Sequence, residues 1–229
     1  MLNMKKVTKH YRLRQQTVTA LGDASLEIPR GDFVSIVGPS GSGKSTLLLL
    51  LGGMLAPSSG QILVDGQSIY DLPVKSRTAW RRRKIGFVFQ SFHLVPYLTA
   101  LENVEVPLYL AGVKKSKQRT RAAALLEGVG LADRLEHKPS ELSVGQQQRV
   151  ALARTLANDP ELILADEPTG NLDPERREQV FSFLVGLHRE GKTIVLVTHD
   201  PLIAARCRRV VRLDSGKIVE QSTAADNAA

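Results

Sequence analysis

The chain has 229 residues, enough for a sizeable core in one domain or two, and its single cysteine, Cys207, excludes an intrachain disulfide framework. Its 31 basic and 23 acidic residues leave a net charge of +8, which suits an anionic partner, yet no ladder of aromatics accompanies the basic residues as base stacking would need. The longest apolar stretch, Leu47 to Leu55, is far below the roughly 20 residues of a spanning helix, and Met1 to Lys9 is too polar for a secretory signal.

Residues 1–28 and 61–69 read as short strand-like segments, with turns at Pro29-Arg30-Gly31 and Asp65-Gly66. Phe33 to Val37 is an apolar-rich, β-branched run and predicts a buried parallel strand. Gly38-Pro39-Ser40-Gly41-Ser42-Gly43-Lys44-Ser45-Thr46 follows at once and fits G-x-x-x-x-G-K-[ST], the phosphate-binding P-loop. Leu47 to Leu51 continues it as a helix that begins near Lys44. Arg77 to Lys84 holds five basic residues and Trp80 and reads as a solvated helical face, with anionic lipid headgroups as its other possible neighbour.

Ile85 to Phe89 reads as a strand ending at Gln90. Residues 91–158 are mostly helical, with helix formers from Lys115 to Glu127 followed by Gly128 and Gly130, and a further helix over Gln146 to Leu156. After Pro160 strands and helices alternate: strand Leu162 to Ala165, helix Pro174 to Arg189, strands Thr193 to Val197, Val210 to Leu213 and Lys217 to Glu220. Asp200-Pro201 marks a helix start just after His199. Residues 222–229 are small and polar and are expected to be disordered.

The chemistry begins with the P-loop. Gly38, Gly41 and Gly43 let backbone N–H groups converge on an anion, and the following helix adds its positive N-terminal end. Lys44 is placed to reach the β- and γ-phosphates, and the Ser45 hydroxyl to ligate Mg²⁺. The strand Leu162 to Ala165 ends at two carboxylates. Asp166 can hold Mg²⁺, and Glu167 can orient or deprotonate a water attacking the γ-phosphate. An Asp-Glu pair after a strand can also do no more than cap a helix; the P-loop upstream favours the chemical reading.

With Leu142-Ser143-Val144-Gly145-Gln146, which lies 23 residues before Asp166 counting from Ser143, the pattern resembles the ATP-binding subunit of an ABC transporter over residues 1–221. Gln90 fits that family's Q-loop glutamine, Gly170-Asn171-Leu172-Asp173 its D-loop, His199 its switch histidine and Tyr11 the aromatic that stacks on adenine. The signature usually reads Leu-Ser-Gly-Gly-Gln, so Val144 departs from it while Ser143 and Gly145 are kept. Val144 is stiff and excludes conformations open only to glycine.

The resemblance implies an α/β P-loop ATPase with a RecA-like parallel-sheet core and antiparallel β subdomain (1–90 and 159–221) and an inserted helical subdomain (91–158). It implies ATP and Mg²⁺ as ligands. Glu167, His199 and Gln90 become catalytic; Ser45, Gln90 and Asp166 hold the metal. Tyr11, Gly38, Ser40, Gly41, Ser42, Gly43, Lys44, Ser45, Thr46, Ser143, Gly145, Gln146 and Asp173 contact nucleotide. One P-loop and one signature without an internal repeat fit a head-to-tail homodimer in which each signature completes the other copy's site. The implied partner is an integral membrane permease, gripped near the Q-loop by Phe87, Gln90, Phe92, Leu94, Tyr97 and Leu98, at the cytoplasmic face of the inner membrane. No nucleic acid is expected. The wordings Leu51-Gly52-Gly53, Leu101-Glu102-Asn103-Val104 and Glu167-Pro168-Thr169-Gly170 further resemble ATPases of lipoprotein-releasing, macrolide-exporting and cell-division-type permeases. A nutrient-importer subunit and a soluble ABC ATPase of repair or translation remain alternatives.

Overall fold

Apolar residues alternating with polar ones in short stretches, interrupted by register shifts, build a long hairpin at the start of the chain. Strand β1 (Leu2–Leu13) pairs antiparallel with β2 (Gln16–Ile28), from Leu2 opposite Ile28 to Leu13 opposite Gln16. Leu2, Met4, Leu21, Leu26 and Ile28 are buried, as period-two alternation requires of a half-buried sheet. The short segments expected from the sequence are therefore two long strands. They were masked by register shifts between Met4 and Lys9, where Lys6 adopts a positive φ of 46°. The computed structural model describes residues 1–13, 16–170 and 172–223.

Strand β3 (Phe33–Val37) leads into helix α1 (Lys44–Leu51), whose Leu47, Leu48, Leu50 and Leu51 are buried. Then come β4 (Ser59–Val64), β5 (Gln67–Ser68), α2 (Val74–Lys84), β6 (Ile85–Phe89), α3 (Ala100–Leu110), α4 (Lys115–Gly128) and α5 (Val144–Thr155). The chain continues through β7 (Leu162–Asp166), α6 (Pro174–Arg189), β8 (Thr193–Val197), α7 (Pro201–Ala205), β9 (Arg209–Asp214) and β10 (Lys217–Thr223). Ser222 and Thr223, expected in a disordered tail, pair with Val210 and Arg209 instead. The remainder of that tail, 224–229, lies outside the described residues.

The chain divides into two compact units, Met1–Thr78 with Leu164–Ala229, and Ala79–Ile163. The sequence reading had drawn its helical insert at 91–158. In the first unit an antiparallel sheet runs β2-β1-β4-β5, and a mostly parallel sheet runs β10-β9-β3-β8-β7. Strand β3 is parallel to both β8 and β9, and β10 turns back antiparallel on β9. All five residues of β8 are buried, which is why its sequence is continuously apolar or β-branched. Buried Asp32, just ahead of β3, is paired at 2.8 Å with Arg209, the first residue of β9. This links the entrances of two neighbouring strands. Burial pushes the Cys207 thiol up to about 12, so it is an inert apolar group.

The second unit packs α3, α4 and α5 around Leu101, Val104, Leu108, Leu126, Val150 and Ala153. Helix α2 buries none of its residues, in keeping with a solvated basic face. Helix α3 starts with a reciprocal capping box between Thr99 and Glu102. One turn in, fully buried Asn103 donates through Nδ2 to the carbonyls of Val95, Leu98 and Thr99, while its Oδ1 accepts from the Val95 N–H at 2.8 Å. One side chain thus holds the loop ahead of α3. Asn103→Ala leaves those groups to water and should cost about 2 kcal/mol of stability, measured by denaturant unfolding.

Candidate functional site

The loop between β3 and α1 is shaped by two glycines that nothing else can replace. Gly38 has a φ of 155°, and a Cβ there would lie 1.9 Å from the Leu213 carbonyl oxygen; one on Gly43, at φ 102°, would lie 2.3 Å from the Ala20 carbonyl. Gly41 also has a positive φ but faces open space. The chain therefore passes tightly between β9 and β2 and still turns into α1. The amides of Lys44, Ser45 and Thr46 open that helix and have no partners within it, so they present donors and a positive dipole end. Lys44 folds back over the loop, donating to the carbonyls of Gly38 at 2.9 Å and Pro39 at 2.8 Å. Ser40 at the loop's apex is exposed, whereas the Ser42 hydroxyl is buried without a partner.

Strand β7 delivers Asp166 to this loop. The Ser45 hydroxyl lies near enough to favour the charged form of the Asp166 carboxyl, while Asp166 Oδ1 is buried with no partner. Burial pushes the Asp166 carboxyl above the usual range, and the nearby charge of Glu167 pushes the same way; the Ser45 hydrogen bond and Lys44 oppose them. Among the described residues no group of three metal-ligating His, Cys, Asp or Glu side chains occurs. The oxygen pair of Ser45 and Asp166 fits Mg²⁺ all the same, because that ion keeps several waters and takes few protein ligands alongside phosphate.

Glu167 lies just beyond the strand at a φ of 49°, a region rarely used by residues other than glycine. Its N–H donates to the Val197 carbonyl at 3.0 Å, so the end of β8 holds the bend. Two residues past β8, the His199 Nδ1–H donates to Glu167 Oε2 at 2.5 Å. The carboxylate can only accept, which puts a proton on Nδ1; Nε2 then accepts in the neutral ring and donates to a ligand only in the imidazolium. Glu167 is largely shielded and His199 largely exposed, with side-chain exposures of 21% and 70%.

Tyr11, half-buried on β1, brings its hydroxyl within 3.4 Å of the Thr46 hydroxyl on α1, and the Lys9 ammonium sits 5.4 Å from its ring centre. The first unit therefore gathers Tyr11, the P-loop, Asp166, Glu167 and His199. Asp173 is engaged locally: it caps α6 by accepting from the Arg176 N–H and pairs with the Arg176 guanidinium at 3.2 Å. Asn171 lies outside the described residues.

The second unit carries Gln90, Ser143, Gly145 and Gln146. Gln90 follows β6 and is exposed. Of the apolar cluster around it, Phe87 stacks on Phe89, Leu94 packs on the helical core, and Tyr97 is 83% exposed. Helix α5 starts at Val144, two residues earlier than expected, because Ser143 and Gln146 form a reciprocal capping box. The S-x-x-Q spacing was the signal for it. Val144 thus occupies the first helical position, which any residue can adopt, and its side chain is half exposed.

A buried strand, a glycine-bound turn and a helix at the edge of a parallel sheet define a P-loop nucleotide-binding protein. Residues 21–170 match the family model described as ABC transporter, and the chain belongs to that family as an ATP-binding component. It is 50% identical to an ABC transporter ATP-binding protein of Thermotoga maritima, covering 93% of this chain and 91% of that one. It is 47% identical to the macrolide export ATP-binding/permease protein MacB of Hyphomonas neptunium over 97% of this chain, but it spans only 34% of that relative. Its structure superposes on the dimeric ATP-binding cassette MJ0796, solved in a post-hydrolysis state with ADP and Pi, with a TM-score of 0.90 and 44% identity over 98% of this chain and 99% of that one. The resemblance and the α/β fold class read from the sequence are thereby borne out.

Val144→Gly should remove about 0.5–1 kcal/mol of helix stability and no buried contact, so ATPase rates should change by less than about tenfold. Steady-state ATP hydrolysis and a thermal melt of the variant check both numbers.

Proposed function

We propose that this chain hydrolyses ATP to drive an integral membrane permease of the export or lipoprotein-release type. The observation that supports the reading is the Glu167–His199 hydrogen bond, which orients a carboxylate next to Asp166, as water attack on a γ-phosphate held by the P-loop would require. In this reading Lys44 and the amides opening α1 cradle the β- and γ-phosphates, and Tyr11 stacks on the adenine. Ser45 and Asp166 would hold Mg²⁺, which would neutralise charge on the phosphate oxygens; for Gln90 the family resemblance alone implies a part in holding the metal. Glu167 takes or orients the proton of the attacking water. His199 keeps its carboxylate aimed and, as the imidazolium, would donate its Nε2–H to the γ-phosphate.

Ser143, Gly145 and Gln146 complete the site of a second copy, with Asp173 beside it, in a head-to-tail homodimer. The dimeric cassette with 44% identity supports this arrangement. The segment around Gln90, with Phe92 and exposed Tyr97, receives the permease, so the chain works at the cytoplasmic face of the membrane. Among the described residues no helix is long and apolar enough to cross it. The likeness to a macrolide export protein at 47% identity favours export over import.

Glu167→Gln keeps an oxygen that accepts from His199 but loses its basicity. ATP binding should stay intact while hydrolysis falls about 10²–10⁴-fold, and with ATP and Mg²⁺ the variant should dimerise in light scattering. Wild-type hydrolysis, or a strict monomer, would count against the reading. Lys44→Ala should instead weaken ATP binding, read by nucleotide titration.

Asp166→Asn tests the metal role from the opposite side. The raised carboxyl pKa means that the stability Asp166 contributes is present at low pH, where it is protonated, and is lost as pH rises through its folded-state pKa. At neutral pH the nucleotide-free variant should therefore melt higher, while losing the extra stabilisation that Mg²⁺ adds to bound nucleotide. A variant that keeps that Mg²⁺ effect would place the metal elsewhere.

A further inference from the structure

The loop that carries His199 is held from outside the candidate site by one ion pair. Asp200 follows His199 and has two jobs. Its Oδ1 caps α7, accepting from the N–H groups of Leu202 at 2.9 Å and Ile203 at 3.4 Å. Its Oδ2 accepts from Arg177 Nη1 at 2.8 Å. Arg177 belongs to the first turn of α6, 23 residues away in sequence. The pair is partly sheltered: the Arg177 side chain is 40% exposed and that of Asp200 16%, while Arg177 Nε is buried with no partner of its own. A guanidinium with a dehydrated nitrogen is not a floating surface charge. Its carboxylate partner among the described residues fixes where it sits, and it in turn fixes the carboxylate.

On the other side of His199, the Thr198 hydroxyl accepts from the Asp200 N–H at 3.1 Å, and Thr198 is buried. The imidazole therefore projects from the three-residue span Thr198–Asp200, closed by its own hydrogen bond, and it reaches Glu167 at 2.5 Å. At one end the Thr198 N–H donates to the Ile36 carbonyl of β3 at 3.2 Å, and at the other Asp200 is held by Arg177 of another helix.

We propose that Arg177 is a positioning residue for hydrolysis. It holds Asp200, and through it the backbone at His199, so that the imidazole meets the Glu167 carboxylate. This rests on the roles of Glu167 and His199 proposed above. In this role Arg177 acts through Asp200 and His199 and not on the substrate itself. It should act on the rate and not on affinity, because among the described residues its hydrogen bond goes to Asp200 and not to the P-loop or Tyr11, which would bind ATP. It also makes the aim of His199 depend on where the first turn of α6 sits, directly after Asp173.

Two variants separate this role from plain stability. Arg177→Met keeps the bulk of the side chain and removes the charge. Asp200→Asn keeps an oxygen to cap α7, since asparagine is as good a cap, but gives up the charged partner of Arg177. The full-length chain is assayed with ATP and Mg²⁺. Arg177→Met should lower kcat by about ten- to a hundredfold with KM for ATP within about twofold, as expected when a reacting group is misplaced by a fraction of an ångström. Asp200→Asn should do the same.

The deciding measurement is a cycle with His199→Ala. If Arg177 acts through His199, adding Arg177→Met to His199→Ala should lower kcat no further. Multiplying effects, or a loss of affinity in place of rate, would overturn the proposal. So would wild-type kcat in either charge variant while Glu167→Gln and His199→Ala are impaired. If those two variants keep wild-type rates themselves, it is the assignment of the hydrolytic pair that fails. Should Arg177→Met not fold, Asp200→Asn and its combination with His199→Ala decide alone.

Discussion

The site depends on one steric constraint, the passage of the chain at Gly38 and Gly43 between two backbone carbonyls. Leu213 closes one side at the end of β9 and Ala20 the other on β2, each too near for any Cβ. This narrow passage lets β3 end and α1 begin within a few residues, so the helix's unpaired amides open at the sheet edge beside Asp166. Both carbonyls come from strands distant in sequence. The loop therefore takes its shape only once β9 and β2 are in place. Asp32 and Arg209, which tie the entrances of β3 and β9, belong to the same constraint from the opposite end of those strands.

Within that frame the electrostatics are left unfinished. Asp166 is buried with one oxygen unpartnered, and Ser42 has a buried hydroxyl without a partner. Lys44 satisfies itself on loop carbonyls that an anion would compete with. The two orphaned oxygens are costs that a bound cation and phosphate would relieve. Glu167 adds backbone strain at its positive φ, held by Val197. Such concentrated departures from local comfort mark where a fold serves chemistry rather than stability.

Much of this was legible in the sequence because it is local. The strands Phe33–Val37, Ile85–Phe89 and Thr193–Val197 and the helix Pro174–Arg189 fall where periodicity, glycine and proline placed them. The P-loop is a contiguous pattern, and so is the Asp166-Glu167 pair. What escaped was either irregular or long-range. The first two strands were underestimated because bulges break their alternation. That His199 and Glu167 belong to one site was implied only by resemblance, and their hydrogen bond was not foreseen, since nothing in spacing brings positions 32 residues apart together. Arg177 gave no signal, because an arginine in the first turn of a helix reads as an ordinary solvated residue until Asp200 is found beside it.

Val144 shows how a motif's letters and its physics can diverge. Glycine at the third signature position suggests that a special conformation is needed there. The chain has no such need, because Ser143 takes the cap and helical geometry begins with the next residue. The capping box does not use up the serine either. Its Oγ accepts from the Gln146 N–H at 3.3 Å, and a hydroxyl that accepts can still donate its own proton. The helix opening thus keeps a hydroxyl donor, the free amides of its first turn and a positive dipole end, all of which an anion can use. What a β-branched residue changes is the outer face of that turn, where Val144 stands half exposed. Its consequence falls on how closely another surface can approach the helix and leaves the helix's capacity to hold an anion intact.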